Sequence, residues 1–208
     1  MSTDELEKLY KERYDKVLTI VANKLEDHIK YLVKDIPRID RVSARAKSIT
    51  RFLDKARKTE NNKPKYTDPL SQIQDQVGAR IVTFYNSDIE PVSKTILDYF
   101  APIEKRTIVP DSVNEFGYEE KHFILLIPKD LITPDLSEEH CPTFFELQIK
   151  TLFEHSWAEA NHDLAYKPHS ELNLVQKRKI AFTAAQAWGA DKIFDELSQE
   201  LLNGKESH

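Results

Sequence analysis

Two acidic residues beside predicted strands are the first candidates for chemistry. Asp75 lies just before one strand, and Glu146 lies within a later one, where Glu146, Gln148 and Lys150 alternate with apolar residues and so project from one face. Mg²⁺ prefers one or two carboxylates together with substrate phosphates. Asp75 and Glu146 would therefore hold one Mg²⁺ if their strands are neighbours. Taken singly, each acid fits an ion pair at a strand end better.

Basic residues are concentrated between Arg38 and Lys65. This segment has ten basic and three acidic residues and carries +7, so the remainder of a chain of net charge −5 carries −12. Such an island on an acidic protein favours a local anion site over a surface that follows a nucleic-acid duplex, with a solvated helix face as the alternative. Four of the cations fall at helical spacing, on one stripe of a helix predicted over residues 43–58: Lys47, Arg51, Lys55 and Lys58.

A third candidate lies on the helix predicted after the last strand. His155, Glu159 and His162 are spaced by four and three residues, which places them on one helix face, as metal ligands would require. No further soft ligand is evident, because Cys141 is the only cysteine. The three residues therefore fit a solvated or hydrogen-bonded helix face better than a zinc site.

Composition excludes several classes of protein. The 208 residues are 40% apolar and 31% charged, which is typical of a folded domain and not of a disordered or fibrous chain. The single cysteine cannot form an internal disulfide, no apolar run approaches the roughly 18 residues of a membrane span, and the N-terminus is polar. We therefore expect a cytoplasmic protein without a membrane partner. With four glycines there is no glycine-rich phosphate loop, so side chains must hold any nucleotide.

The elements that must position these residues follow from hydrophobic periodicity. Their order is α+β and predicts a mixed β-sheet of about five strands flanked by helices, in one domain over residues 1–208 without repeats or linkers. Trp157 and Trp188 are expected in the core. We predict helices over residues 1–33 (ended by Pro37), 43–58, 89–100, 152–164 and 171–201, and a short helix that begins at Asp68-Pro69. Strands are predicted over 79–85, 105–109, 122–127 and 144–150.

Five short motifs in residues 40–167 together resemble the RelA/SpoT-type alarmone synthetase domain. They are Arg45-x-Lys47 with Lys55, Asp75-x-x-Gly78-x-Arg80, Gly117-Tyr118-x-x-x-His122, Glu146-x-Gln148-x-Lys150-Thr151, and Trp157-Ala158 followed by His162 and Tyr166-Lys167. The family has a nucleotidyltransferase-like fold and transfers the β,γ-pyrophosphate of ATP to the ribose 3′-hydroxyl of GDP or GTP. The chain is too short for the hydrolase and regulatory domains of the long enzymes, so it resembles a stand-alone small synthetase with helical extensions at 1–36 and 171–202.

The resemblance implies a role for each matched residue. Arg45 and Arg80 would sandwich the adenine of ATP, using the planar guanidinium that lysine lacks. Asp75 and Glu146 would bind Mg²⁺, and Glu146 would also take the proton of the attacking hydroxyl. The ATP phosphates would be held by Lys47 and Lys55, and Arg51 would also bind ATP. The acceptor would be lined by Tyr118, His122, Gln148, Lys150 and His155.

Departures from the family pattern lie near the acceptor and leave its identity open. Arg51 and Glu120 replace serines, Lys150 replaces an arginine, and His155 stands where some members carry an asparagine that reads guanine. One alternative is a toxic branch of the family, which modifies adenine nucleotides or the 3′ end of tRNA; the basic segment would then contact RNA phosphates. Another is a degenerate module that binds nucleotide or RNA without catalysis, although both acids and both adenine-clamping arginines are present.

The last predicted helix carries an apolar stripe formed by Ile193, Phe194, Leu197 and Leu201. Such a stripe must be covered, either by the N-terminal helix or by another subunit. The family resemblance favours self-association through the terminal helices.

Overall fold

The computed structural model describes residues 2–108, 120–132, 136, 140–166 and 172–203. Its strands are β1 (Ile39–Ala46), β2 (Thr59–Glu60), β3 (Lys63–Pro64), β4 (Val77–Thr83), β5 (Pro102–Ile108), β6 (Glu120–Leu126) and β7 (Phe144–Thr151). Its α-helices are α1 (Thr3–Arg13), α2 (Thr19–Val33), α3 (Ile49–Ala56), α4 (Pro69–Gln72), α5 (Ile89–Tyr99), α6 (Leu152–Tyr166) and α7 (Leu174–Asn203). No helix among these residues is long and apolar enough to cross a membrane.

Five strands form one mixed sheet in the order β1-β4-β7-β6-β5, while β2 and β3 form a separate hairpin. The central β4 and β7 are parallel, and the other neighbours in the sheet are antiparallel. This confirms the predicted α+β class with a five-stranded mixed sheet flanked by helices. The predicted strand over 79–85 begins two residues earlier, at Val77, and ends at Thr83.

One face of the sheet packs on helices, and the other carries polar side chains. On β7, Phe145, Leu147 and Ile149 are buried in a single apolar cluster together with Ile29 of α2 and Ile96 of α5. Glu146 and Gln148 alternate with these residues and belong to the opposite face. This polar face is the one available for chemistry.

The helix predicted over residues 43–58 is wrong over its first six residues. Ile39–Ala46 is strand β1, paired antiparallel with β4, and the helix begins only after Ser48, whose hydroxyl accepts from the backbone N–H of Arg51. The single stripe of four cations is therefore wrong as well. Only Arg51 and Lys55 lie on α3, while Lys47 lies in the turn before it and Lys58 after it.

The N-terminal helix is continuous from Thr3 to Val33 but widens into a π-helical turn at Tyr14–Leu18. The Tyr10 ring stacks on Phe52 at 3.6 Å between centroids, and its hydroxyl donates to the Lys47 carbonyl at 2.8 Å. Burial, with help from nearby Asp75, raises the pKa of Tyr10, so the hydroxyl keeps its proton. These contacts fix the turn between β1 and α3 against the N-terminal helix.

Trp188 is not a core residue. It lies on α7 with 44% of its surface exposed, and the Lys192 ammonium lies 5.7 Å from its ring centroid. Trp157 is half-buried. The α7 stripe is not covered by the N-terminal helix either, since Ile193, Leu197 and Leu201 are 58%, 45% and 70% exposed.

Candidate active site

Strand register places the predicted site residues in two rows across the polar face of the sheet. Arg45 on β1 pairs with Gly78 on β4, and Gly78 pairs with Glu146 on β7. Two residues further along β4 and β7, Arg80 pairs with Gln148, and Gln148 pairs with His122 on β6. The sheet therefore brings together residues that are about a hundred positions apart in the chain.

The first row borders a cavity of about 550 Å³. Its wall combines the end of β1, the turn that follows, the first part of α3, and the central strands β4 and β7. Tyr14, from the π-helical turn, also lines it. Among the predicted residues, it is lined by Arg45, Lys47, Arg51, Asp75, Arg80, Glu146 and Gln148.

A second cavity of about 390 Å³ lies towards β5 and β6. Its cations are Lys55, Lys58, Lys65 and Arg106, and Tyr66 lies among them. Asp75 and Glu146 line both cavities. The two carboxylates thus stand where the cavities meet, between an arginine-lined pocket and a lysine-rich one.

Asp75 is held between two lysines. Its Oδ2 accepts from Lys55 Nζ at 2.8 Å and lies 3.0 Å from Lys47 Nζ. Burial raises the pKa of Asp75, but Lys47 and Lys55 together outweigh it and hold the pKa below the ordinary value, so the carboxylate is ionised. Oδ1 is buried and has no hydrogen-bond partner among the described residues. One oxygen is therefore left for a cation.

Glu146 is oriented by its neighbours in the sheet. Its Oε1 accepts from Gln148 Nε2 at 2.7 Å and lies 3.3 Å from Nδ1 of His122. Both partners belong to the second row: Gln148 lies two residues further along β7, and His122 pairs with it from β6. The carboxylate is thus held towards the junction of the cavities.

Three arginines converge on the first cavity: Arg45, Arg51 and Arg80. Burial and the neighbouring charges of Arg51 and Arg80 lower the pKa of Arg45. Arg80 Nη1 donates to Glu159 Oε1 at 2.6 Å and to His155 Nδ1 at 3.1 Å. Cations crowded in this way favour an anionic or π-rich ligand between them.

The stripe on α6 is hydrogen-bonded to these arginines, as the sequence favoured, and is not arranged as a metal site. His155 and Glu159 bind Arg80, and His162 Nε2 lies 3.2 Å from Arg51 Nη2. Burial and the charge of Arg80 lower the pKa of His155, which keeps its ring neutral and able to accept. Among the described residues, no group of three or more His, Cys, Asp or Glu side chains is placed to hold a metal.

Comparison with known proteins gives this site a family. The family model described as "Region found in RelA / SpoT proteins" matches residues 44–171, which is more than half of the chain and contains both rows. The chain belongs to the RelA/SpoT family. It is 28% identical to the GTP pyrophosphokinase YjbM of Bacillus subtilis (strain 168) over 166 residues, which are 77% of this chain and 71% of that protein.

Solved structures show the same fold. The crystal structure of the small alarmone synthetase 1 from Bacillus subtilis is 24% identical and gives a TM-score of 0.71, covering 96% of this chain and 99% of that one. A structure of that synthetase bound to its product pppGpp gives 0.68, with coverage of 86% and 91% at 24% identity. One bound to AMPCPP gives 0.66, with coverage of 96% and 97% at 22% identity.

Not every matched family residue reaches the cavities. Lys150 is only 3% exposed, and its ammonium lies 3.5 Å from Glu154 Oε1, so its place beside an acceptor stays a prediction. His155 contacts Arg80, which lines the first cavity, and its acceptor role also stays a prediction. Tyr118 lies outside the described residues.

Sequence reasoning missed several residues that line the cavities. Tyr14 gave no signal, because it lies in a helix far from every motif. Lys65, Tyr66 and Arg106 line the second cavity without belonging to a family motif. The concentration of charge between Arg38 and Lys65 was the one signal that could have found Lys65.

Proposed function

We propose that this protein transfers the β,γ-pyrophosphate of ATP to the ribose 3′-hydroxyl of GDP or GTP, making guanosine tetra- or pentaphosphate. The observation that carries this proposal is the pair of carboxylates, Asp75 and Glu146, at the junction of two cation-lined cavities. A transfer between two nucleotides needs two adjoining anion sites and a charge-neutralising centre between them. The names of the Bacillus subtilis relative and of its structures bound to pppGpp and AMPCPP support the same reaction.

The first cavity is assigned to the donor. Arg45 and Arg80 would stack on the faces of the adenine, and Arg51 would add charge beside it. Lys47 and Lys55, which neutralise Asp75 in the structure, lie at the junction where the triphosphate must end. A polyphosphate carries more negative charge than one carboxylate, so these lysines are suited to contact it when ATP binds.

The second cavity is assigned to the acceptor. It opens from the same carboxylates towards β5 and β6, and Lys58, Lys65 and Arg106 suit the 5′-phosphates of a nucleoside di- or triphosphate. His122 and Gln148 lie next to Glu146, which also lines this cavity. With Tyr118 proposed to stack on the purine, they would orient the ribose.

The carboxylates of Asp75 and Glu146 are suitable ligands for Mg²⁺. Asp75 keeps a buried oxygen without a hydrogen-bond partner among the described residues, and Glu146 faces the same junction, which matches the one or two carboxylates that Mg²⁺ prefers. When bound, the ion would neutralise charge on the transferring phosphates. Asp75 and Glu146 would hold it, with the phosphates and water completing its shell.

The proposed reaction needs one proton acceptor. The 3′-oxygen of the acceptor nucleotide forms a bond to the β-phosphorus of ATP. The bond from that phosphorus to the α,β-bridging oxygen breaks, and AMP leaves. The hydroxyl proton passes to the carboxylate of Glu146, which Gln148 and His122 orient. Lys47 and Lys55 offset the charge that develops on the phosphates.

The proposal is tested by offering separate acceptors to the purified protein. ATP labelled on the γ-phosphate is incubated with Mg²⁺ and, in turn, GDP, GTP, AMP, ADP and bulk tRNA. Label in GDP or GTP supports the proposal. Label in an adenine nucleotide or in tRNA would replace it with the toxic branch of the family, and label in no acceptor would favour a non-catalytic module.

Two further properties are proposed on the same basis. Residues 1–208 would act as one synthetase domain, because residues from Leu6 to Ile149 share a single apolar cluster. The exposed apolar face of α7 would be covered by a second copy of the chain.

A further inference from the structure

The His155/Glu159/His162 stripe of α6 has no role in the reaction just described. Its spacing would suit metal ligands, yet its side chains contact arginines of the first cavity. We propose that Glu159, assisted by His155, is a positioning residue that holds the Arg80 guanidinium so that its face is presented to the base of the donor nucleotide. This inference rests on the proposed donor role of Arg80 and adds a residue to which no role has been assigned.

The hydrogen bonds of Arg80 all involve the edges of its guanidinium. Nη1 donates both of its hydrogens, one to Glu159 Oε1 at 2.6 Å and one to His155 Nδ1 at 3.1 Å, and Nη2 reaches Gln148 Oε1 at 3.4 Å. Guanidinium N–H groups point outward in the plane of the group. Partners along the edges therefore fix the plane and leave its two faces available for stacking.

The supports of Arg80 come from two elements, and Arg80 itself lies on a third. Gln148 is on β7, Arg80 itself is on β4, and Glu159 and His155 are one turn apart on α6. The start of α6 is fixed in turn, because Thr151 Oγ1 accepts from the Glu154 N–H at 3.1 Å and donates to Asp191 on α7 at 2.6 Å. Side chains on rigid elements can hold a guanidinium plane more precisely than a loop could.

Glu159 also balances the charge of the arginines. It raises the pKa of Arg45, opposing burial and the neighbouring arginines, which lower it. Its own pKa is lowered by the hydrogen bond from Arg80, so it is ionised. Without it, Arg80 would lose its strongest in-plane partner and would be repelled by Arg45 and Arg51.

The test is a double-mutant cycle on binding of a non-hydrolysable ATP analogue, measured by calorimetry in wild type, Glu159→Ala, Arg80→Ala and the double variant. We expect Glu159→Ala alone to weaken binding about three- to fivefold, as suits an ion pair of partial exposure. In the Arg80→Ala background the same change should have almost no effect, because Glu159 acts through Arg80. Glu159→Gln should recover part of the loss, since its amide oxygen still accepts from Nη1.

Turnover gives a second measurement. Glu159→Ala should raise the KM for ATP and leave kcat within about twofold, because it affects donor placement and not the transferring atoms. Glu12→Ala is the matched control: Glu12 also holds a cation at 2.6 Å, Lys16, but on the exposed N-terminal helix. The Glu12→Ala variant should bind the ATP analogue as tightly as wild type does.

The outcomes separate the two proposals. If Arg80→Ala weakens binding but Glu159→Ala does not, or if Glu159→Ala has the same effect with and without Arg80, the positioning role is wrong and the donor assignment stands. If Arg80→Ala binds the analogue as tightly as wild type, the donor role of Arg80 and the positioning role both fail.

Discussion

Glu146 is the residue on which the proposed chemistry depends most. The change Glu146→Gln keeps the size of the side chain and an oxygen that can accept from Gln148, but removes the charge and the proton acceptor. We expect transfer to fall at least about 10²-fold with the fold intact, measured as label transfer and as thermal midpoint. Glu90→Gln is the control, since Glu90 is an exposed partner of Lys121 outside both cavities. If Glu146→Gln retained more than about a tenth of wild-type turnover, Glu146 would be ruled out as the base.

Arg45 tests the donor pocket. Arg45→Lys keeps the positive charge but loses the planar surface proposed to stack on adenine, so the KM for ATP should rise about five- to tenfold. Steady-state kinetics with varied ATP at saturating acceptor measure it. Arg57→Lys, at an exposed position paired with Asp54, is the control and should change nothing. An unchanged KM for Arg45→Lys would make Arg45 part of a merely solvated basic surface.

At the residue scale, the sequence predicted which side chains would gather but not what they would touch. Asp75 and Glu146 were expected to share one Mg²⁺ on the condition that their strands are neighbours, and both line the junction of the cavities beside the paired strands β4 and β7. The partners of His155 and His162 could not be read from the chain, because Arg80 and Arg51 lie far away in sequence. Spacing on one helix shows which residues share a face, but tertiary packing decides what that face meets.

At the scale of elements, the strand β1 was the main error. Val42, Ala44 and Ala46 alternate with polar residues, which is the period of a strand. These three apolar side chains are small and give a weak signal. The cations at helical spacing gave a stronger one. Pairing with β4 decides the conformation. The long helices and β7 were predictable because their apolar periodicity extends over many residues, whereas β1 depends on a non-local partner.

The contact between α2 and β1 gives a pH-dependent prediction. Glu26 Oε2 accepts from the backbone N–H of Ala44 at 2.8 Å, and Oε1 accepts from Lys30. The hydrogen bond from Lys30, then that from Ala44, lowers the pKa of Glu26 in the folded protein. The stabilisation is therefore complete above the unfolded value of about 4.3 and is lost as pH falls through the lower folded pKa.

Glu26→Gln should accordingly reduce the free energy of unfolding by about 1 kcal/mol at pH 7, and the difference from wild type should shrink below pH 4. Urea unfolding at several pH values measures it. The control is Glu12→Gln, which removes a carboxylate that binds only an exposed lysine. A difference that is the same at pH 3 and pH 7 would show that the charge of Glu26 is not what anchors β1.

At the scale of the molecule, the exposed apolar face of α7 predicts self-association. We expect Ile193→Glu combined with Leu197→Glu to lower the mass measured by light scattering while thermal unfolding stays cooperative, because both side chains are more than 40% exposed in one copy. Phe194 is left unchanged, since it stacks on Phe153. Tyr31→Glu, at an exposed position on α2, is the control. Wild type that scatters near 24.2 kDa would contradict the prediction.

The parallel pairing of β4 and β7 has a consequence for biosynthesis. These neighbours are separated in the chain by residues 84–143, which include α5, β5 and β6. Bringing the ends of such a long connection together costs conformational entropy before the contacts between β4 and β7 stabilise the pair. The pairing is therefore expected late in folding. Asp75 leaves the ribosome well before Glu146, and a nascent chain therefore carries half of the reactive centre until β7 has emerged. On this topology, the proposed transfer from ATP is expected to begin only after β7 has emerged and paired with β4.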